Sequence, residues 1–251
     1  MKAVFSNNYL EQSGFVKQCI ENFDSKGKIL AEGRNEIRIF ENDAEQYNIK
    51  SFRIPNTVNK IAYRFFRKSK AQRSFEYASI LEKKGIGTPA PVAYFENPSS
   101  VFFRESFYVC RHLQAHLTFR ELVTDLDFPD HENILRAFTR FTYELHQKNI
   151  QFLDHSPGNT LIVKTGSTYE FFLVDLNRMN FKELNFEERM QNFSRLTPKR
   201  IMVKIMANEY AGFINKSEEE VFEKMWFYTE QFQHKFQRKK ALKKKIKFWK
   251  R

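Results

Sequence analysis

The sequence predicts an α+β protein in two lobes: a small N-terminal antiparallel sheet lobe with one helix, and a larger, mostly helical C-terminal lobe. Three observations carry this. Short strand-like runs dominate the first 113 residues, broken by one helix-period stretch. After Arg178 the chain reads as mostly helical. Between these regions lies a loop–strand–turn–strand unit, Gln151 to Met179, unlike either flank. The expected division is 1–112, 113–234 and a basic tail, 235–251.

Taken in order, Ile29-Leu30-Ala31 and Ile37-Arg38-Ile39-Phe40 read as strands joined by the turn Glu32-Gly33-Arg34-Asn35-Glu36. Tyr47 to Phe52 alternates as a third strand, with Lys50 projecting from it. A helix follows from Lys70 to Lys84, with Phe75, Ala78, Ile80 and Leu81 as its apolar positions and Gly85 as its cap. The loop Ile86 to Pro91 leads into the strand Val92 to Phe95. Phe102 to Phe103 and Phe107 to Leu113 complete a small sheet.

Thr118-Phe119-Arg120-Glu121 reads as a capping box. Glu132 to Lys148 is amphipathic, with Ile134, Leu135, Phe138, Phe141 and Leu145 on one stripe. His146, near its end, reads as a packing or hydrogen-bonding residue rather than a metal ligand. Helices are expected again at Phe186 to Leu196, at Lys199 to Ile214, and after Ser217, whose cap partner is Glu220.

The unit in the middle carries the chemistry. Asp154 is followed five positions on by Asn159, with Pro157-Gly158 making the tight turn between them. Apolar runs at Thr160–Val163 and Phe171–Val174, separated by a turn at Lys164–Thr168, then deliver Asp175. Phosphoryl transfer needs a hydroxyl held in line, a carboxylate to take its proton, and a divalent ion on the triphosphate. Magnesium is content with few protein oxygens, so one carboxylate and one amide suffice. Asp154 is the candidate base; Asn159 and Asp175 are the candidate metal ligands. An ordinary surface turn has the same residue types; the succession of helix, loop, strand, turn, strand and acid favours the site.

These motifs, Asp154-His155-Ser156-Pro157-Gly158-Asn159 and Asp175-Leu176-Asn177-Arg178, resemble the protein-kinase-like superfamily, and more closely the lipopolysaccharide kinases of the Kdo/WaaP type, from about Lys28 to Leu196. The resemblance implies a bilobal protein-kinase-like fold. It implies ATP- and Mg2+-dependent transfer to a sugar hydroxyl of the lipopolysaccharide inner core, Kdo favoured over heptose. By the same likeness, Lys50 stands where the nucleotide lysine should be; Glu76, read as in phase with the buried stripe of the helix, is its natural partner, with Glu82 or a plain surface acid as the rival readings. The Gly33 turn would lie over the phosphates, although alone it is equally an ordinary hairpin. Arg111, His112 and Leu113 would form the hinge whose backbone meets the adenine edge.

The chain also departs from the pattern. Phe152 stands two before the base, where such loops usually have histidine. Asp175 is followed by Leu-Asn, and no Ala-Pro-Glu segment follows, which favours a glycan or small-molecule acceptor over a protein. Arg178 and Arg195 are candidates for holding an anionic acceptor such as Kdo-lipid A. The rivals are an aminoglycoside- or choline-kinase-like phosphotransferase and an inactive, kinase-shaped binding module.

The chain's 251 residues can bury a large core, and its 28 phenylalanines point to core packing. Cys19 and Cys110 match no metal spacing and are expected as free thiols in a reducing cytoplasm. The N-terminus MKAVFSNNYL lacks a signal-like apolar region. Ten Lys or Arg and no acid lie in 235–251; subtracted from a net of +12, they leave +2 for the body. Leu242, Ile246 and Trp249 fall near one helical face of that tail. This reads as a helix on an anionic membrane surface, placing the protein on the inner face of the bacterial inner membrane. The alternatives are a solvated tail and nucleic-acid binding; the latter is disfavoured because the body shows no basic groove or base-stacking motif.

Overall fold

The computed structural model describes residues 1–33, 35–43, 45–52, 68–98 and 103–248. The chain divides into two compact units. The first is Met1–Gln114 with Val174–Asn177; the second is Ala115–Leu173 with Arg178–Arg251.

The first unit is built on a six-stranded antiparallel sheet. Its strands are β1 (Lys2–Phe5), β2 (Lys28–Ala31), β3 (Asn35–Asn42), β4 (Glu45–Phe52), β5 (Pro91–Pro98) and β6 (Phe103–Arg111), in the order β1-β5-β6-β4-β3-β2. Side chains alternate across a strand, and that alternation sorts the two faces. Tyr47 and Ile49 of β4, Ala93 and Phe95 of β5, and Phe107 and Val109 of β6 share one core with Val16, Cys19, Ile20 and Phe23 of helix α1 (Ser13–Glu21) and the turn after it. Phe52, Tyr94 and Tyr108 point the other way, toward Ala71 and Phe75 of helix α2 (Lys70–Lys83). Lys50, between Ile49 and Phe52, therefore belongs to the α2 face.

Helix α2 starts where Ser69 accepts a bond from the Gln72 N–H at 3.0 Å and stops at Gly85, whose φ of 65° is left-handed. Its buried residues are Ala71, Ser74, Ala78 and Leu81. Residues 1–27, for which the sequence offered no elements, supply both β1 and α1. The predicted strand residue Phe102 and the turn residue Arg34 lie outside the described residues.

The second unit opens with β7 (Leu117–Thr118) and the short helix α3 (Phe119–Thr124). The predicted capping box is present: Glu121 accepts from the Thr118 N–H at 2.8 Å. Helix α4 (His131–Gln147) buries Ile134, Leu135, Phe138 and Leu145, four of the five predicted stripe residues, and leaves Phe141 partly buried. Strand β8 (Ile150–Phe152) pairs with β11 (Met179–Phe181), Phe152 opposite Met179. Strands β9 (Thr160–Thr165) and β10 (Thr168–Leu173) form the expected hairpin, turning at Gly166 with φ 60°.

Helices α5 (Phe186–Asn192), α6 (Arg200–Ala211) and α7 (Glu218–Phe248) finish the chain. Val221, Met225 and Thr229 of α7 are buried at a spacing of one turn, whereas every residue from His234 to Lys244 is exposed. The tail is thus no separate element. It continues the same helix, which has no Gly or Pro to stop it. The side chains of Ile246 and Trp249, two of the three residues on the predicted apolar face, lie outside the described residues.

Candidate active site

In the first unit, Lys50 Nζ lies 2.5 Å from Asp175 Oδ1. Asn177 Nδ2 donates to the same oxygen at 2.5 Å, and Ser74 Oγ donates to Asn177 Oδ1 at 3.3 Å. Asp175 has a left-handed φ of 59°, which costs a non-glycine residue roughly 1–2 kcal/mol. Two polar side chains, Lys50 and Asn177, hold its carboxylate in spite of that backbone conformation, and Ser74 braces Asn177. Lys50 also lies 5.3 Å over the Phe52 ring, which is packed against the same α2 face.

Glu76 is not part of this group. Lys68 Nζ donates to its two oxygens at 2.9 and 2.7 Å, and Gln72 Nε2 to one at 2.9 Å. Helix phase explains the correction. Glu76 follows the buried Ser74 by two residues, about 200° around an α-helix, so it points away from the buried stripe. The stripe position that reaches the Asp175 loop is Ser74. A polar residue among Ala71, Ala78 and Leu81 was the available signal, and it was missed.

Gly33 has φ 150°, and nothing among the described residues lies within 4 Å of where a Cβ would stand. The hinge expectation needs correcting. Arg111 N–H donates to the Ala90 carbonyl at 2.9 Å and His112 N–H to Gln46 at 2.8 Å. These groups complete bonding to the flanking chain. Arg111 pairs with Glu45 at 2.6 Å, and His112 Nδ1 lies 3.1 Å from Asn48 Oδ1. Leu113 is the first of the three without a backbone partner among the described residues.

In the second unit, Asn159 Nδ2 donates to the Asp154 backbone carbonyl at 2.9 Å. The Pro157–Asn159 turn folds the loop back so that this bond closes. With its NH2 group committed, the amide oxygen of Asn159 is the atom left to ligate. The Asp154 carboxylate meets two guanidinium groups. Arg178 Nε donates to Oδ2 at 2.9 Å, with Nη2 on the same oxygen, and Arg195 Nη1 meets Oδ1 at 2.6 Å.

Phe152 is fully buried, and its carbonyl accepts from Asn192 Nδ2 at 2.8 Å. Asn192 Oδ1 lies 3.1 Å from His146 Nε2, and His146 Nδ1 lies 2.8 Å from the Tyr210 hydroxyl. The loop is braced from α4 and α5 through this chain, so His146 is a hydrogen-bonding residue. His155 is also fully buried, 5.2 Å from the Phe138 ring and 5.8 Å from Phe152, and neither ring nitrogen has a partner among the described residues. Burial pushes the imidazoles of His146 and His155 down to about 4 and about 3. Cys19 and Cys110 are free, buried thiols, raised by burial to about 11 and about 12.

Each unit, taken by itself, keeps an oxygen that suits a hard divalent ion. Asn159 keeps an amide oxygen, and Asp175 keeps a carboxylate oxygen, Oδ2, without a partner among the described residues. A six-stranded antiparallel sheet with a lysine–aspartate pair, joined in one chain to a helical unit with a D-x-x-P-G-N loop, is consistent with the kinase-like class. The sequence model of the lipopolysaccharide kinase (Kdo/WaaP) family matches residues 25–216, and the chain belongs to that family. It is therefore a kinase. A solved structure described as "WaaP in complex with acyl carrier protein" shares the fold, with a TM-score of 0.64 and 15% identity, over 95% of this chain and 99% of that one. No curated protein sequence matches the chain.

Proposed function

We propose that this protein transfers the γ-phosphoryl group of ATP, with Mg2+, to a sugar hydroxyl of the lipopolysaccharide inner core, Kdo before heptose. Family membership over residues 25–216 supports this reading most directly. Asp154 takes the acceptor proton as the acceptor oxygen bonds to phosphorus and the bond to ADP breaks. Lys50 holds nucleotide phosphates, with Asn159 and Asp175 as ligands for the ion. When bound, that ion supplies charge neutralisation on the phosphates. The Gly33 turn offers backbone to the phosphates, and Leu113 a backbone N–H to the adenine edge.

The two arginines on Asp154 favour an anionic acceptor over the cationic one that an aminoglycoside- or choline-kinase-like enzyme would take. Retention of Lys50, Asp154, Asn159 and Asp175 in one sequence disfavours an inactive binding module. The test is phosphate transfer from labelled ATP to purified Kdo-lipid A, with and without Mg2+, using wild type and Asp154→Ala. Absence of Mg2+-dependent transfer by wild type overturns the proposal, and faster transfer to a heptosylated acceptor moves the assignment to heptose.

We also place the protein peripherally on an anionic membrane face through its tail. No helix among the described residues is long and apolar enough to cross a membrane, and the exposed end of α7 carries six described basic side chains between Lys235 and Lys244. Removal of 235–251 should abolish co-sedimentation with vesicles containing phosphatidylglycerol. Unchanged sedimentation removes the anchor.

A further inference from the structure

Asp154 is one carboxylate facing two guanidinium groups. Neither Arg178 nor Arg195 has a second acidic partner among the described ion pairs, so one positive charge beside the candidate base is uncompensated. The two arginines are held very differently. Arg195 donates to the Leu153 carbonyl at 2.9 Å, stacks 5.5 Å over Phe232 of α7, and has its Nε buried. Arg178 has a fixed backbone, since its carbonyl accepts from Leu153 N–H at 3.2 Å. Its side chain, by contrast, is 57% exposed and touches only Asp154 Oδ2 among the described polar groups. A guanidinium has five N–H donors in a planar fork suited to carboxylate and phosphate, so Arg178 retains donors that face solvent.

We propose that Arg178 is the specificity residue for an anionic group, carboxylate or phosphate, carried by the acceptor beside its reacting hydroxyl, and that Arg195 is a positioning residue for Asp154. Engaging the acceptor anion draws Arg178 from Asp154 Oδ2. That oxygen then becomes available to the acceptor hydroxyl, while Arg195 keeps the carboxylate oriented through Oδ1. One side chain thereby couples recognition of the correct acceptor to release of the base. A neutral acceptor leaves Arg178 in place and the base occupied. This rests on the kinase reading above, in which Asp154 is the base.

The experiment uses the full chain and three probes: Kdo, Kdo with its carboxyl reduced to the alcohol, and the reduced sugar carrying a phosphate. Calorimetric binding is measured for wild type, Arg178→Gln, Arg178→Lys and Arg195→Gln, with thermal melts to confirm folding. Transfer from ATP is measured on the corresponding lipid A acceptors. Wild type should bind or use the carboxylate acceptor at least about tenfold better than the reduced one, the scale of one lost charge-assisted hydrogen bond. Arg178→Gln should erase that preference through KM with KM for ATP unchanged, and Arg178→Lys should restore part of it. Arg195→Gln should lower kcat and keep the preference. Recovery by the phosphate probe shows that charge is read; failure to recover shows a carboxylate fork.

A preference that survives Arg178→Gln, or no preference in wild type, overturns the proposal even if transfer occurs. A preference that Arg178→Gln abolishes, with no transfer to any acceptor, upholds the anion site and overturns the lipopolysaccharide kinase reading instead.

Discussion

The side-chain amide of Asn159 donates to the backbone carbonyl of Asp154, five residues earlier, at 2.9 Å. This bond fixes the loop and orients the amide at once. Replacing Asp154 by Ala should lower kcat by about 10²–10⁴-fold, the usual contribution of a general base, with KM for ATP little changed. Asn159→Ala should instead raise the Mg2+ concentration needed for half-maximal rate. Steady-state kinetics at varied Mg2+ separates the two.

Lys50 pairs with Asp175, and Glu76 with Lys68. Lys50→Met should therefore raise KM for ATP strongly. Glu76→Gln disturbs only a partly exposed pair and should cost less than about 1 kcal/mol of stability while largely preserving activity. Equal losses from Lys50→Met and Glu76→Gln in the same assay would show that Glu76 serves the lysine after all.

Asn192 joins the Phe152 carbonyl to His146. Asn192→Ala strands both buried partners and should cost about 1–3 kcal/mol by urea unfolding, with activity falling as the loop loosens. Asn192→Asp keeps the shape but loses the donor, and should fail at the same carbonyl.

His146 and His155 are kept neutral by burial, at about 4 and about 3 against an ordinary 6.5. Both values are depressed, so below pH 6.5 the unfolded chain binds protons that the folded chain refuses. Their neutral burial is therefore without penalty above pH 6.5. Stability falls as pH drops from there toward 4 and 3, by up to about 1.4 kcal/mol per pH unit for each imidazole. His155→Phe removes one of the two, and with it two ring nitrogens that lack partners among the described residues, from a site flanked by the Phe138 and Phe152 rings. Its urea midpoint should be at least that of wild type at pH 7, and less sensitive to acid between pH 6 and 4.

What could be read in advance followed from local rules. The α4 stripe, the Thr118 capping box and the β9–β10 hairpin depend on spacing within a few residues, and the structure reproduces them within a residue or two. The D-x-x-P-G-N loop was legible because its turn chemistry is local too. Glu76 reads as in phase with a stripe of Phe75, Ala78, Ile80 and Leu81, whereas burial against the sheet selects Ala71, Ser74, Ala78 and Leu81, and Glu76 pairs with Lys68. The Ser74–Asn177–Asp175 chain spans about a hundred residues and leaves no local trace. The brace beneath Phe152 is non-local as well: His146 reaches the Phe152 carbonyl only through Asn192, some forty residues away from either.

The unbroken course of α7 has a mechanical consequence. From Phe232, where Arg195 stacks, to Phe248 is sixteen residues of continuous helix, about 24 Å at 1.5 Å each. A lysine-studded rod of that length is a strut rather than a leash. Whatever it grips, it fixes the tilt and standoff of the catalytic loop's own unit, so lengthening or shortening it by half a turn would rotate its charged stripe without altering a single contact at Asp154.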